Sequence, residues 1–413
     1  MEPRKINLKK RTGLWFIIFG VIMLIFILGA GIIPAIKEFW QRPLGPSLGL
    51  DATPTLQTTA LSVVQLPSDI TPQPPNEETA EPTAAAESNS PTLTPVSMPT
   101  YTPNPYCGDI PSMLILAIGI DYRKGTYTYG LADVIRLVKI DFQNPSVRVL
   151  SFPRDLWVEV PGISDHYGIT HSKLNQSYFY GTQAMGYYDG PGGGAGLLAR
   201  TLALNFGVQP EQYGVVNMNI LIDMIDAIGG VDIYLNYELD ARDSPESEDL
   251  WKIYDAGWNH LNGYRAVYYA RIRKLDSVFG RMDRQTEILC AIKNKLLSPS
   301  TIKGIPDMIE AFSDNVLTDL SPAQLSQLAC LAPKLSFENI VFARFPEDDL
   351  RGTTIYNPNT KSNDFIWDVD NAIIRQYVAE FLAGTWPPAP VEGEASSSHD
   401  GETQQLCPVY PAR

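Results

Sequence analysis

Residues 14–33 read Leu-Trp-Phe-Ile-Ile-Phe-Gly-Val-Ile-Met-Leu-Ile-Phe-Ile-Leu-Gly-Ala-Gly-Ile-Ile, and no other stretch restricts this chain's topology as severely. About twenty consecutive apolar residues are what an α-helix needs to cross a bilayer. A helix half-buried in a soluble core shows a polar face, and this run has none. Arg4, Lys5, Lys9, Lys10 and Arg11 precede it, and no charge follows until Lys37. Cations on that flank hold the N-terminus in the cytoplasm and send the remaining chain outward. A cleaved signal peptide is the rival reading, but its apolar region is shorter and ends at a small-residue cleavage site. The expectation is therefore a cytoplasmic segment at 1–13, an uncleaved transmembrane anchor at 14–36, and an extracytoplasmic remainder.

Residues 43–106 are dominated by Pro, Thr, Ser, Ala and Glu, with no Lys or Arg between Arg42 and Arg123. Such a composition buries too little apolar surface to offset chain ordering, so it predicts a disordered stalk. A similar segment at 386–413 predicts a flexible tail. Between them, residues 107–385 suffice for one large domain with its own core. Cys107, Cys290, Cys330 and Cys407 lie far apart with no Cys-x-x-Cys spacing, which argues against zinc. Disulfides are permitted outside the membrane. The favoured pairing is Cys290–Cys330 between two helices and Cys107–Cys407 at the domain's edges, with buried free thiols as the alternative. The four histidines form no His-Glu-x-x-His pattern, against a zinc hydrolase.

Apolar and alternating runs predict strands at 113–121, 134–142 and 147–152, the last extended by 156–160. Further strands are expected at 231–235 and 339–345. Amphipathic spacing predicts helices at 172–180, 196–205, 221–228, 263–269, 281–297 and 322–331. Strands and helices interleave without a strict βαβ rhythm, which points to an α/β fold with a mixed central sheet flanked by helices. Gly190-Pro-Gly-Gly-Gly-Ala-Gly196 lacks the Lys-Ser/Thr ending of a phosphate-cradling loop and reads as a flexible lead into the next helix.

The unabsorbed signal is charge. Arg271, Arg273, Lys274, Arg281 and Arg284 crowd into fourteen positions of a chain whose formal charge is -14. Arginine's planar fork matches phosphate oxygens two at a time, so the crowding reads as a polyanion clamp rather than a solvated face. Arg281, Arg284 and Gln285 share one helical face. Asp121 ends the first strand with Arg123 just beyond it, Asp133 opens the second, and Arg154 and Asp155 follow the third. If those strands are neighbours, their ends meet along one rim of the sheet. Two carboxylates beside arginines form a hard oxygen site suited to Mg²⁺ bridging to substrate phosphates.

The series Ile118-Gly-Ile-Asp-Tyr-Arg123, Ala132-Asp-Val-Ile135, Ser151-Phe-Pro-Arg-Asp155, Lys173-Leu-Asn175 and Tyr269-Ala-Arg-Ile-Arg273 followed by Phe279-Gly-Arg-Met-Asp-Arg-Gln285 resembles the LytR-CpsA-Psr family. The resemblance covers residues 113–297, and the last motif is the most specific. It implies an extracytoplasmic phosphotransferase that moves a glycopolymer from a polyprenyl diphosphate to peptidoglycan as a phosphodiester. By position it implies Mg²⁺ held by Asp121 and Asp133, and Arg154 at the reacting phosphate. Arg271, Arg273, Arg281 and Arg284 would surround the diphosphate, with Lys173, Asn175 and Gln285 supporting them. It also implies an apolar tunnel, for which Phe179, Leu197, Leu198, Leu202, Met218, Ile222 and Ile225 are candidates; ordinary core is the rival assignment. Two departures stand out. Leu131, Ala132 and Val134 replace the usual Arg, Ser and Thr around Asp133, and Thr182 follows Gly181 where a second glycine is common.

Transfer of this kind needs mostly positioning and charge neutralisation; Asp155 is the candidate base. Hydrolysis with water as acceptor, and a non-catalytic regulator that binds glycopolymer, are the alternatives. Nucleic acid is excluded as a partner by the acidic ectodomain and its expected side of the membrane.

Overall fold

The computed structural model describes residues 38–50, 105–122, 127–272, 278–296, 315–336, 338–357, 361–388, 404, 405 and 407. The apolar run at 14–36, Arg123 and Arg273 lie outside them. No helix among the described residues is long and apolar enough to cross a membrane.

Strands β1 (Ser112–Ile120), β2 (Ala132–Asp141) and β3 (Ser146–Phe152) form where their runs predict strands, and they are antiparallel neighbours. Both faces are covered, which explains why β1 reads as nearly continuous apolar sequence. Leu116, Ile118, Ile135, Leu137 and Leu150 enter the main core on one face. Met113, Ile115 and Ile140 enter a second cluster on the other. The turn at Pro153, where Leu156 donates to the Pro153 carbonyl at 3.3 Å, takes the chain off β3. Residues 156–160 therefore do not extend β3. Their strand, β4 (Trp157–Glu159), pairs instead with β5 (His171–Lys173).

Helix α1 (Leu174–Tyr180) begins two residues later than its apolar pattern suggests, because those residues serve β5. Helix α2 (Gly193–Phe206) begins earlier, inside the glycine-rich stretch. Those glycines permit close packing rather than slack: a Cβ on Gly181 would sit 2.7 Å from the Gly193 carbonyl oxygen. Likewise one on Gly194 would sit 2.8 Å from that of Tyr178. Leu198 and Leu202 of α2 belong to the main core.

Strand β6 (Gln212–Asn217) follows and pairs parallel with β1, a central position its polar ends conceal. Asn217 then caps α3 (Met218–Ala227) by accepting from Ile220 N–H at 3.0 Å. A smaller lobe comprises β7 (Val231–Leu235), β8 (Leu239–Asp240), β9 (Ile253–Tyr254), β10 (Gly257–Leu261) and α4 (Gly263–Tyr269). Its core includes Ile225, Val231, Ile233, Leu261 and Tyr269.

The long helix α5 (Val278–Leu296) joins that lobe to the sheet. The chain continues through β11 (Leu317–Thr318) and α6 (Pro322–Leu331), which starts in a Ser321–Gln324 capping box. Next come β12 (Ile340–Arg344), the hairpin β13 (Arg351–Asn357) and β14 (Ser362–Asp368), α7 (Asn371–Ala383), and β15 (Gln404–Gln405). The complete sheet runs β11-β6-β1-β2-β3-β12-β15. Strands β6, β1, β3 and β12 are parallel and β2 runs against them, so the fold is α/β with a mixed sheet.

The disulfides are Cys107–Cys330 and Cys290–Cys407, which corrects the favoured pairing. Cys107 lies just before β1, on the face covered by α6, while Cys290 faces β3 and β12. Spacing along the chain carries no information about these faces. Cys407 and β15, which pairs with β12, also bring the far end of the expected flexible tail back to the sheet.

A second difference concerns residues 43–50, which composition assigns to the stalk. They form a strap on the domain. Leu44 N–H donates to the Leu320 carbonyl at 3.2 Å, the Tyr213 hydroxyl to that of Pro46 at 2.9 Å, and Arg200 to that of Gly49 at 3.1 Å. Leu48 is 2% exposed, inside the main core. Leu48→Ala is expected to cost about 2–5 kcal/mol in denaturant unfolding; no loss would return the strap to the stalk.

Buried Asp319 fastens the strap electrostatically. Its carboxylate accepts from the N–H groups of Tyr213 and Leu48. Burial pushes its pKa up to about 6, against the downward pull of those N–H groups. Between the ordinary 3.8 and about 6, the folded state keeps a proton that the unfolded chain releases. Stability from this group is therefore full below that window and lost as pH rises through it. Asp319→Asn should flatten the decline in Tm between pH 4 and 6; an unchanged slope would remove Asp319 as its source.

Candidate functional site

The antiparallel β2 opens where the parallel strands close, so the end of β1, the start of β2 and the end of β3 meet along one rim. Gly119 pairs with Val134 but Ile120 with Ala132, leaving Asp133 as the extra residue of a β-bulge. A bulge releases one side chain from the strict alternation of faces, which is how a carboxylate can stand beside a core-facing alanine.

Asp133 meets Arg154 in an ion pair. Arg154 Nε also donates to Asp155 Oδ2 at 3.1 Å, and Lys173 Nζ lies 3.3 Å from Asp155 Oδ1. Carboxylates and cations therefore alternate from β2 through the Arg154 turn to the start of α1. Burial opposes the Arg154 charge, but Asp133 and Asp155 together outweigh it and raise its pKa above the ordinary value.

Backbone contacts hold this turn from two sides. Asn175 N–H donates to the Arg154 carbonyl at 3.0 Å and Leu174 N–H to that of Leu156 at 2.8 Å. From the hairpin, Trp367 N–H donates to the Asp155 carbonyl at 2.9 Å. The Trp367 ring packs edge-on to Phe279, 5.6 Å between centroids, and Arg344 lies 5.4 Å above Phe279. Asp155 is 6% exposed and both its oxygens hold cations. That geometry suits it to orient Arg154 rather than to take a proton.

A narrow cleft beside this chain is lined by Asp133, Ser151, Arg154, Arg281 and Gln285. Arg281 and Gln285 come from the first turns of α5, which the shared helical face anticipates. Arg284 is buried and donates to the Ile272 carbonyl, so it ties α5 to the backbone just after α4. Arg271 is exposed after α4. Asp121 follows β1, and its Oδ1 accepts from Leu131 N–H at 2.8 Å. Leu131 thus supplies backbone, and Ala132 is fully buried in the main core.

Arg136 was not among the sequence candidates. It sits mid-β2 opposite Ala117 and Ser151, is 3% exposed, and donates through Nη1 and Nη2 to Thr286 Oγ1 of α5 at 3.2 Å. Burial lowers its pKa to about 10, with Asp283 acting in the opposite direction. A charged residue in the middle of an apolar run is the signal that could have found it.

Among the described residues, no group of three or more Asp, Glu, His or Cys is placed to hold a metal ion. Asp121, after β1, and Asp133, at the start of β2, are two hard carboxylate donors; magnesium typically takes one or two such protein ligands and leaves its other positions to phosphate and water.

The sequence model of the LytR_cpsA_psr family matches residues 82–372. The chain belongs to this family. It is 31% identical over 209 residues to the polyisoprenyl-teichoic acid–peptidoglycan teichoic acid transferase TagV of Bacillus subtilis, covering 50% of this chain and 49% of that one. The match thus spans about half the length of that relative. It is 28% identical over 275 residues to the regulatory protein MsrR of Staphylococcus aureus, covering 65% of this chain and 73% of that one. The crystal structure of Bacillus subtilis TagV superposes with a TM-score of 0.50 at 27% identity, over 66% of this chain and 97% of that one. That of protein gbs0355 from Streptococcus agalactiae gives a TM-score of 0.51 at 19% identity, over 71% and 92%, and supports the fold alone.

If Asp155 acts by holding Arg154, Asp155→Asn should destabilise the fold by about 1.5–3 kcal/mol, the range for hydrogen bonds to charged groups. The loss should shrink in an Arg154→Ala background. Strictly additive losses in chemical denaturation would show that the two side chains are not coupled.

Proposed function

We propose that this protein is a membrane-anchored, extracytoplasmic transferase that moves a glycopolymer from a polyprenyl diphosphate carrier to peptidoglycan as a phosphodiester. The observation that carries the reading is Arg154, held between Asp133 and Asp155 at the strand-end rim and facing a cleft shared with Arg281 and Gln285. Membership of the family and the transferase relative support the reaction class. The apolar run at 14–36 supports the anchor and a cytoplasmic N-terminus.

In the proposed reaction a sugar hydroxyl of peptidoglycan attacks the phosphorus that carries the glycopolymer. A new oxygen–phosphorus bond forms as the bond to the bridging diphosphate oxygen breaks, and polyprenyl phosphate leaves. The hydroxyl proton passes to solvent or to the departing phosphate. Arg154 and Arg281 draw negative charge toward the cleft and neutralise what builds on the leaving group. Lys173 and Asp155 keep Arg154 in place, and Gln285 is a hydrogen-bonding group beside the phosphate. Asp121 and Asp133 would hold Mg²⁺, which would supply positive charge to offset that of the diphosphate.

A regulatory role is the second reading, favoured by the name of the MsrR relative. The full chain, given a polyprenyl diphosphate-linked oligosaccharide and peptidoglycan fragments, is expected to form a sugar-phosphate adduct. Chelator should abolish the adduct, and Arg154→Ala should lower its rate about a hundredfold or more. Tight binding without product would establish the regulator; released lipid phosphate without adduct would establish hydrolysis.

A further inference from the structure

A helical turn at residues 38–41 precedes the strap, and this stretch leaves large apolar side chains in water. Phe39 is 68% exposed, Trp40 49% and Leu44 47%, three such residues within six positions. The turn is closed by Arg42 N–H donating to the Phe39 carbonyl at 3.3 Å. From Leu44 onward the strap is bonded to the domain through Leu320, Tyr213 and Arg200. The exposed patch is therefore carried by a segment fixed to the domain. The uncharged run that ends at Ile36 immediately precedes it, separated by Lys37.

Its position on the fold is also defined. Gln41 and Pro43 share a cleft with Asp109, Ile110, Glu211 and Gln212. Those four residues stand before β1 or open β6, at the rim opposite the one where β1 ends beside Asp121. Nine residues of β1 separate the two rims, a height of about 30 Å at roughly 3.3 Å per residue.

We infer that Phe39, Trp40 and Leu44 lie in the lipid headgroup interface and hold the domain with this rim toward the bilayer, so that a polyprenyl carrier leaves the bilayer along the domain to bring its diphosphate to the Arg154 rim. The inference rests on the anchor reading of residues 14–36. Tryptophan and other amphipathic rings favour that interface, where an apolar body meets lipid and a polar edge meets water. Lipid is the occupant that chain continuity selects, because whatever holds the run at 14–36 must be met within a few residues of Phe39.

The four cysteines are paired, so one introduced cysteine is the sole free thiol for a spin label. The full chain would carry Trp40→Cys, Leu44→Cys or Tyr129→Cys and be reconstituted in phosphatidylglycerol–phosphatidylethanolamine vesicles. Tyr129 serves as the far-rim reference because it is 46% exposed, with its ring 5.7 Å from that of Tyr122 beside Asp121. Labels at 40 and 44 should be accessible to oxygen and several-fold less accessible to a water-soluble nickel chelate than the label at 129. Retention in the vesicles with all three labels equally open to nickel would overturn the interface assignment alone. A shielded label at 129 would overturn the orientation. Release of the protein by alkaline carbonate would refute the anchor and the inference with it, leaving the phosphotransfer reading intact. In the unlabelled chain, brominated lipid should quench tryptophan fluorescence more than in Trp40→Phe; equal quenching would also refute the interface assignment.

Discussion

Helix α5 must satisfy several apolar surfaces at once, and that constraint fixes where its first turns point. Phe279 and Met282 enter the main core, Ile288 and Ala291 the core of the smaller lobe, and Cys290 the cluster against β3 and β12. Thr286 receives the buried guanidinium of Arg136. With so many faces of a helix committed, its rotation and axial position have little freedom, because close-packed interiors adjust in discrete steps. Arg281 and Gln285 reach the Arg154 cleft as a consequence of apolar packing on the other faces of the helix. Site precision here is inherited from hydrophobic contacts, and the Cys290–Cys407 bond closes the far side of the same helix.

The charged rim follows a related logic. An acidic chain can collect cations where each is compensated locally, and the alternation of Asp133, Arg154, Asp155 and Lys173 does this. The same alternation raises the Arg154 pKa despite burial, so the arginine remains a fixed positive charge at physiological pH. Preorganised charge of this kind needs no rearrangement as negative charge shifts during a reaction. The hairpin β13–β14 contributes backbone and ring contacts by way of Trp367.

Where local pattern carries the information, the sequence was legible. The runs that become β1, β2 and β3 alternate or saturate with apolar residues, and Asp121, Asp133 and Arg154 stand at their ends. The helices Gly263–Tyr269 and Pro322–Leu331 match their predicted bounds. Strand β6 escaped because Gln212-Tyr-Gly-Val-Val-Asn217 is short and partly polar, and only its parallel partner β1 makes it a central strand. Cysteine pairing escaped because it depends on which sheet face each helix covers. The strap escaped because its three leucines are diluted by Pro, Gly and Ser, so composition outvoted the single side chain, Leu48, that the core absorbs. The grouping of Arg281 with Gln285 at the cleft was readable from helical spacing, whereas the diversion of Arg284 to the Ile272 carbonyl was not.

Both flanks of the Pro- and Thr-rich segment are attached to the same body: Leu48 is seated in the main core, and Tyr106 N–H donates to the Phe142 carbonyl at 2.8 Å beside the Cys107–Cys330 bond. A segment tied at both ends sets no distance between the body and whatever precedes the strap. Closing a chain between fixed points becomes harder only logarithmically with its length, by about 0.6 kcal/mol for each doubling. The length of the chain between Leu50 and Tyr106 is therefore decoupled from the position of the strap, which the domain fixes through Leu48.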